Sequence, residues 1–348
     1  MILPQTSSLV LAVTVLSLLL LGSWASLLKA AGKWRYELFY FDFAFGVLLA
    51  MLICSFTFGD LGFDGFNFID DIQKAGKRQW MYALLAGGIL NLGNMLLLAA
   101  VSLAGMSVAF PIAFGLAILL GAGLGTLVKA GDNPTLVMLG SVLIFAAVVV
   151  SALAYRIMAV LRHEVQARAG RTKSTRRPSA VKGIVLAASG GLLIGVTAGL
   201  VNLARAGDLG MGPYATAGLV AIGLFFSTFV YNVFLMNLPV DGEPIDFGAY
   251  FAGKRLQHAL GLIAGAMWFC GVLAAMVADA VPGPLQPSPH IGILLAQGAP
   301  VLAALIGLVF LGEAKEGDMR VKVLSGLMIV LFACGLVMLG LSAMPARG

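Results

Sequence analysis

Asp42 is a carboxylate inside an apolar run, Leu38-Phe39-Tyr40-Phe41-Asp42, and that setting allows two chemistries. A group that takes up and releases a proton inside a membrane is a candidate for proton coupling. In the first turn of a helix the same group would be structural, favoured by the helix dipole and by unpaired N–H groups. A second set of residues can bind without reacting. Asn91 and Asn94 lie three apart in Gly87-Gly88-Ile89-Leu90-Asn91-Leu92-Gly93-Asn94, so on a helix they share a face. Buried amides need partners, supplied either by a solute or by a neighbouring helix. Gln297, Asn202 and Ser26 add further polar groups, and Trp24 and Trp268 can stack on a planar ring or a sugar face. Trp24 also fits an interfacial belt position. No cationic side chain lies in the middle of an apolar run, which argues against a phosphate or sugar phosphate as the solute.

The elements that must position these residues are set by hydropathy. The chain is 60% hydrophobic and 11% charged, with a mean hydropathy of +0.99. A bilayer-spanning helix needs about 20 apolar residues. Runs of that length fall near 7–28, 38–58, 80–101, 106–128, 135–157, 183–204, 213–237, 256–279, 290–312 and 321–343. They lack the polar faces of soluble helices. The first run has no positive n-region and no A-x-A-like site, so it is read as a span, not as a signal peptide. Cys54, Cys270 and Cys334 fall inside the runs with no metal-ligand or disulfide spacing and are read as packing residues. No metal or cofactor is expected.

The segment 156–182 is strongly basic, with Arg156, Arg162, Arg168, Arg171, Lys173, Arg176, Arg177 and Lys182. Short basic loops stay on the cytoplasmic side. With this segment inside and five runs before it, sixteen of the 22 Lys+Arg fall in inside loops, and both termini are outside. The net charge of +6 is then a topology signal, and nothing points to nucleic acid. The lipid bilayer and a small-molecule solute are the expected partners, with protons as the candidate coupling ion.

The expected fold is an all-α polytopic membrane protein of ten transmembrane helices. It has a first five-helix repeat over 1–157, a basic linker over 158–182 and a second repeat over 183–348. Pro111 parallels Pro300, and Tyr40-Phe41-Asp42 parallels Tyr214-Ala215-Thr216. Repeats with an odd number of spans sit inverted in the membrane, a plan shared by many secondary transporters. Gly191, Gly195 and Gly199 recur at every fourth position, the spacing of a close-packing stripe. Gly121 and Gly125 read as a packing seam. A phosphate loop would need a preceding strand and a Lys-Ser/Thr pair, which are missing there.

Several stretches resemble the ureide permease family, part of the drug/metabolite transporter superfamily near the glucose/ribose porters. They are Gly22-Ser23-Trp24 with 29–35, Tyr40-Phe41-Asp42, Phe56-Thr57-Phe58-Gly59, Gly87-Gly88 with Leu92-Gly93-Asn94, Gln297 with Pro300, and Gly312-Glu313. The resemblance implies ten helices in two inverted repeats. It also implies proton-coupled uptake of allantoin, uracil or related oxo-nitrogen heterocycles, or of sugars as in the neighbouring porters. The linker carries no Walker-type motif, so ATP use is not implied. Three rivals are weighed beside this reading. A drug or metabolite exporter of the same fold would have a more apolar cavity. A membrane-embedded enzyme would gather several acidic, histidine or Ser-Lys groups within the bilayer. A channel would show a filter motif.

Overall fold

In lipid, a backbone can satisfy its own polar groups only as a helix or a closed barrel. The apolar runs take the first solution. The computed structural model describes residues 1–127, 132–168, 180–240, 242–315 and 317–343, and among these all regular structure is helical. The most basic part of the linker, 171–177, lies outside the described residues, as do residues 130, 131 and 316 of the two turns that precede the last run of each half.

The helices are α1 (Ser7–Ser23), α2 (Ser26–Ala30), α3 (Tyr36–Phe56), α4 (Phe68–Lys74), α5 (Lys77–Ala104), α6 (Met106–Gly123) and α7 (Pro134–Arg168). They continue with α8 (Val181–Arg205), α9 (Pro213–Asn237), α10 (Gly248–Phe251), α11 (Arg255–Asp279), α12 (Pro289–Ala296), α13 (Ala299–Leu305) and α14 (Met319–Ser342). Eight of them are long and apolar enough to cross a membrane: α3, α5, α6, α7, α8, α9, α11 and α14. The chain is therefore a multi-pass membrane protein.

The other two expected runs are helical but shorter. The first stops at Ser23 after 17 residues and resumes as the short α2. Ser23 Oγ bonds to the Leu19 carbonyl (2.5 Å), which competes with the helix ladder at that point. The ninth is split at Gln297-Gly298, where Pro300 opens a new helix, and it ends in a π-helical turn over Ile306–Phe310. The fifth helix runs on to Arg168, so the linker expected from 158 begins as helix.

Close approach between helices explains the glycines. A Cβ on Gly191 would strike the Ala113 carbonyl of α6, and one on Gly195 would come within 3.0 Å of the Ala117 Cα. Gly93 of α5 and Gly190 of α8 face each other, each leaving about 3 Å from its would-be Cβ to the other's carbonyl. Gly199 meets only the Thr126 methyl, at 3.9 Å, so the stripe is tight at one end and relaxed at the other. Gly121 faces Thr126, and Gly125 takes a φ of +68° in the turn that ends α6. The principal packed pairs are α5–α8, α1–α11, α3–α11, α5–α9, α6–α8, α1–α13, α6–α7, α12–α14, α7–α14, α3–α9 and α6–α13.

Two of the cysteines read as packing residues meet at the α3–α11 contact. Cys54 and Cys270 lie with their Sγ atoms 4.0 Å apart, although 216 positions separate them in sequence. At the basic end of the bundle, Glu313 closes the loop after α13 onto α6. Its carboxylate accepts from the Met106 and Ser107 amides (both 2.8 Å) and from Ser107 Oγ (2.7 Å), while Arg162 of α7 donates to its carbonyl. The Gly312-Glu313 pair thus supplies the helix cap that α6, with Gly105 before it, lacks.

Candidate functional site

Asp42 sits in the second turn of α3, past the unpaired N–H groups of the helix start. Its oxygens bond to side chains from other elements. Tyr250 of α10 donates to Oδ1 at 2.6 Å, and His258 Nδ1 lies 2.9 Å from Oδ2 and 3.1 Å from Oδ1. With a carboxylate as acceptor, Nδ1 is the protonated ring nitrogen. Burial and the neighbouring carboxylate push the Tyr250 phenol above its usual range, so it remains a donor. Aromatic edges close the cluster: Trp34 and Tyr250 pack on the His258 ring at 5.4 and 4.7 Å between centroids. Asp42 itself is 3% exposed. The cluster joins α3, α10 and α11 near the basic end of the bundle.

A second buried network crosses the middle of the helices. The Tyr40 hydroxyl donates to Asn91 Oδ1 (2.9 Å), and Asn91 Nδ2 donates to Ser227 Oγ (2.8 Å) and Thr228 Oγ1 (3.1 Å). The Asn91 amide is thereby satisfied by α3 and α9. Asn94 differs. It is 2% exposed and its Nδ2 has no hydrogen-bond partner. The shared helix face expected of the pair therefore holds two amides in opposite states.

Trp24 is 1% exposed and packs on Phe43 (5.1 Å) and Phe110 (6.3 Å), which removes the interfacial belt reading. Trp268 meets the same Phe43 at 5.9 Å, and Tyr40 meets it at 4.8 Å. Trp24, Tyr40, Trp268 and the neighbours of Asn94 along α5 belong to one core cluster. Ser26 bonds locally to the Ser23 carbonyl. Gln297 is half-buried at the break between α12 and α13, where Gly298 packs on Leu18 of α1. Asn202 is exposed on α8 and does not join the others.

Sequence reasoning assigned no role to four members of the site. Glu37, placed just outside its run, is helical and fully buried, paired with Arg35 (2.6 Å). Asn232 of α9 donates to the Glu37 carbonyl at 2.7 Å, leaving its own Oδ1 unpaired. Tyr250 and His258 carry no local signature, since they lie 208 and 216 positions from Asp42.

The arrangement defines a helical membrane protein with a buried protonatable cluster and an aromatic–amide core. Residues 39–182 match the family model described as Ureide permease. Two curated relatives from Arabidopsis thaliana are similar: Ureide permease 2, 33% identical over 120 residues, and Ureide permease 1, 29% identical over 114 residues. These stretches are 33% and 32% of this chain, and they span about 30% of the length of those relatives. The resemblance to the ureide permease family is therefore borne out, on the first half of the chain. A solved crystal structure shares the fold over 94% of this chain and 96% of its own, with a TM-score of 0.51 at 17% identity.

Proposed function

We propose that the chain is a secondary active transporter of the cell membrane that takes up a small, polar, uncharged solute together with protons. The solute class is ureide- or nucleobase-like, or a monosaccharide. The observation that carries the reading is the buried Asp42 held by His258 and Tyr250. A carboxylate among apolar helices is costly unless it works, and an imidazole beside it gives the proton a second place to go. The family model matched over residues 39–182 and the names of the two relatives point to a permease. Asn94, with its unpaired amide in the core, is the leading solute ligand, and Trp24 and Trp268 supply flat apolar walls.

Two inverted repeats, α1–α7 and α8–α14, would alternate access around that site. The packing supports this. Exchanging α1, α3, α5, α6 and α7 for α8, α9, α11, α12/α13 and α14 turns α5–α8 into α11–α1, α3–α11 into α9–α5, α6–α8 into α13–α1 and α6–α7 into α12–α14, all of which pack. The pairs α7–α14, α3–α9 and α6–α13 map onto themselves. Breaks at Trp24-Ala25 and Gln297-Gly298 lie in contacting segments, as at other transporter sites.

Two measurements test this reading. In a background with the three native cysteines replaced, Ser7→Cys should react with an impermeant thiol reagent outside intact cells, and Glu164→Cys only after the membrane is opened. The opposite pattern reverses the orientation. Proteoliposomes with an imposed pH gradient should accumulate labelled allantoin, uracil or glucose, and a protonophore should collapse the accumulation. Folded protein that moves none of the three removes the solute class proposed.

A further inference from the structure

The α3–α11 contact keeps one register along its whole length. Asp42 meets His258, a Cβ on Gly46 would strike the Leu262 carbonyl, and Cys54 meets Cys270. The partners in each pair are 216 positions apart, and successive pairs are separated by multiples of four residues. The two helices therefore run parallel and turn the same face to each other throughout. Glycine fills the tightest points, since Cβ atoms on Gly261 and Gly265 would strike Asp42 and the Phe43 carbonyl. That leaves sulfur on both sides of the contact without a packing reason. The thiols lie about 18 Å along α3 from Asp42, away from the basic end. Their Sγ atoms are 4.0 Å apart and a disulfide bond is about 2.05 Å long, so closure takes about 2 Å of movement shared by two side chains. Rotation about χ1 supplies it. Both thiols are free and neither is sealed in the core, so a small reagent can reach them.

We infer that Cys54 and Cys270 are a redox-modifiable pair, closed to a disulfide by exchange with a small apolar disulfide. One cysteine thiolate attacks a sulfur of the reagent, forms a mixed disulfide and releases the first leaving thiolate. The other attacks its neighbour's sulfur, forms the Cys54–Cys270 bond and releases the second. The cysteines give up two electrons and two protons, and the reagent takes both and ends as two thiols. α3 belongs to the first half of the chain and α11 to the second, so the bond ties the halves together at the end opposite the proton cluster. The consequence rests on the transport reading above: halves that cannot rock against each other cannot alternate access.

The test uses dithiodipyridine on the purified full chain in detergent, with Cys334→Ser removing the exposed third thiol. One reagent molecule should release two thiopyridones per chain, and the intact mass should fall by two hydrogens with no adduct. Cys54→Ser and Cys270→Ser, each in the same background, should instead keep one thiopyridyl adduct, because no neighbour resolves it. The closed form should unfold at a higher Tm, and dithiothreitol should reverse the shift. In proteoliposomes, exchange of labelled allantoin, uracil or glucose should fall to background on closure and return with dithiothreitol. The variant lacking both cysteines should exchange the same solute whether or not it has been treated. No reaction, or stable adducts on both cysteines with no bond between them, overturns the pair. A disulfide that leaves exchange running overturns the lock. Protein that moves no solute before or after treatment counts against the transport reading, while mass and Tm still decide the pair.

Discussion

Asp42→Asn should abolish accumulation driven by a pH gradient while leaving exchange of labelled for unlabelled solute in place. One proton carried with each solute across one pH unit supplies about 1.4 kcal/mol, enough to drive roughly tenfold accumulation. The amide keeps the shape and still accepts from the Tyr250 hydroxyl, but it cannot take up the proton, so the accumulation ratio should fall to about one. Exchange requires only that the loaded carrier reorient, and it survives. Asp42→Glu, which restores the carboxyl one methylene away, should recover part of the accumulation. His258→Gln separates the roles within the cluster: its amide can still donate to Asp42 but cannot carry charge. If the proton is shared between the two side chains, His258→Gln should lose coupling as well. A purely structural Asp42 makes another forecast. Removing its bonds to α10 and α11 would lower the yield of folded protein, and both activities would then decline together. Gradient-driven accumulation that persists in Asp42→Asn, measured on equal amounts of folded protein, takes this residue out of the mechanism.

The positions of the helices were legible because the bilayer fixes their length and forbids any other backbone solution. The run at 213–237 matches α9 at both ends, and that at 256–279 differs from α11 by one residue. The two runs that broke did so at Trp24-Ala25 and Gln297-Gly298. There a serine back-bond and a Gly-x-Pro sequence outweigh hydropathy. Hydropathy reports only an average, so it could not show the breaks. The site was legible in one half of each contact. Asp42 stood out because it was out of place, whereas His258, at the loop end of its helix, looked ordinary. The orientation argument already put residues 42 and 258 at the same basic end, and the chain has only 3 His. A demand for partners of Asp42 at that end could have selected His258. Tyr250 could not have been found this way, because it comes from a four-residue helix in a loop. The spacing of Asn91 and Asn94 correctly put both inside. It could not say which amide the neighbours would satisfy, since Tyr40, Ser227 and Thr228 reach Asn91 across two helix contacts.

That difference gives the two amides opposite expected phenotypes. Asn91→Leu leaves the Tyr40 hydroxyl only the longer 3.4 Å bond to the backbone carbonyl at that position, and it removes the side-chain acceptor and donors that hold α3 to α5 and α5 to α9. An interhelical bond in a membrane contributes about 0.6–2 kcal/mol, and this residue makes three. The loss should appear as a lower Tm and a lower folded yield, with transport per folded molecule largely kept. Asn94→Leu removes an amide whose Nδ2 has no partner to lose. Replacing an unsatisfied polar group by an apolar one of similar size is neutral or stabilising, so Tm should hold or rise. Transport should fall by about tenfold or more, because a solute bond of about 1.4 kcal/mol or stronger is gone. Asn94→Gln tests the geometry of that bond, since it moves the same chemistry by one methylene and should also fail. A stable Asn94→Leu that transports normally would leave the unpaired amide without a solute and return the search to Gln297 and the break it occupies.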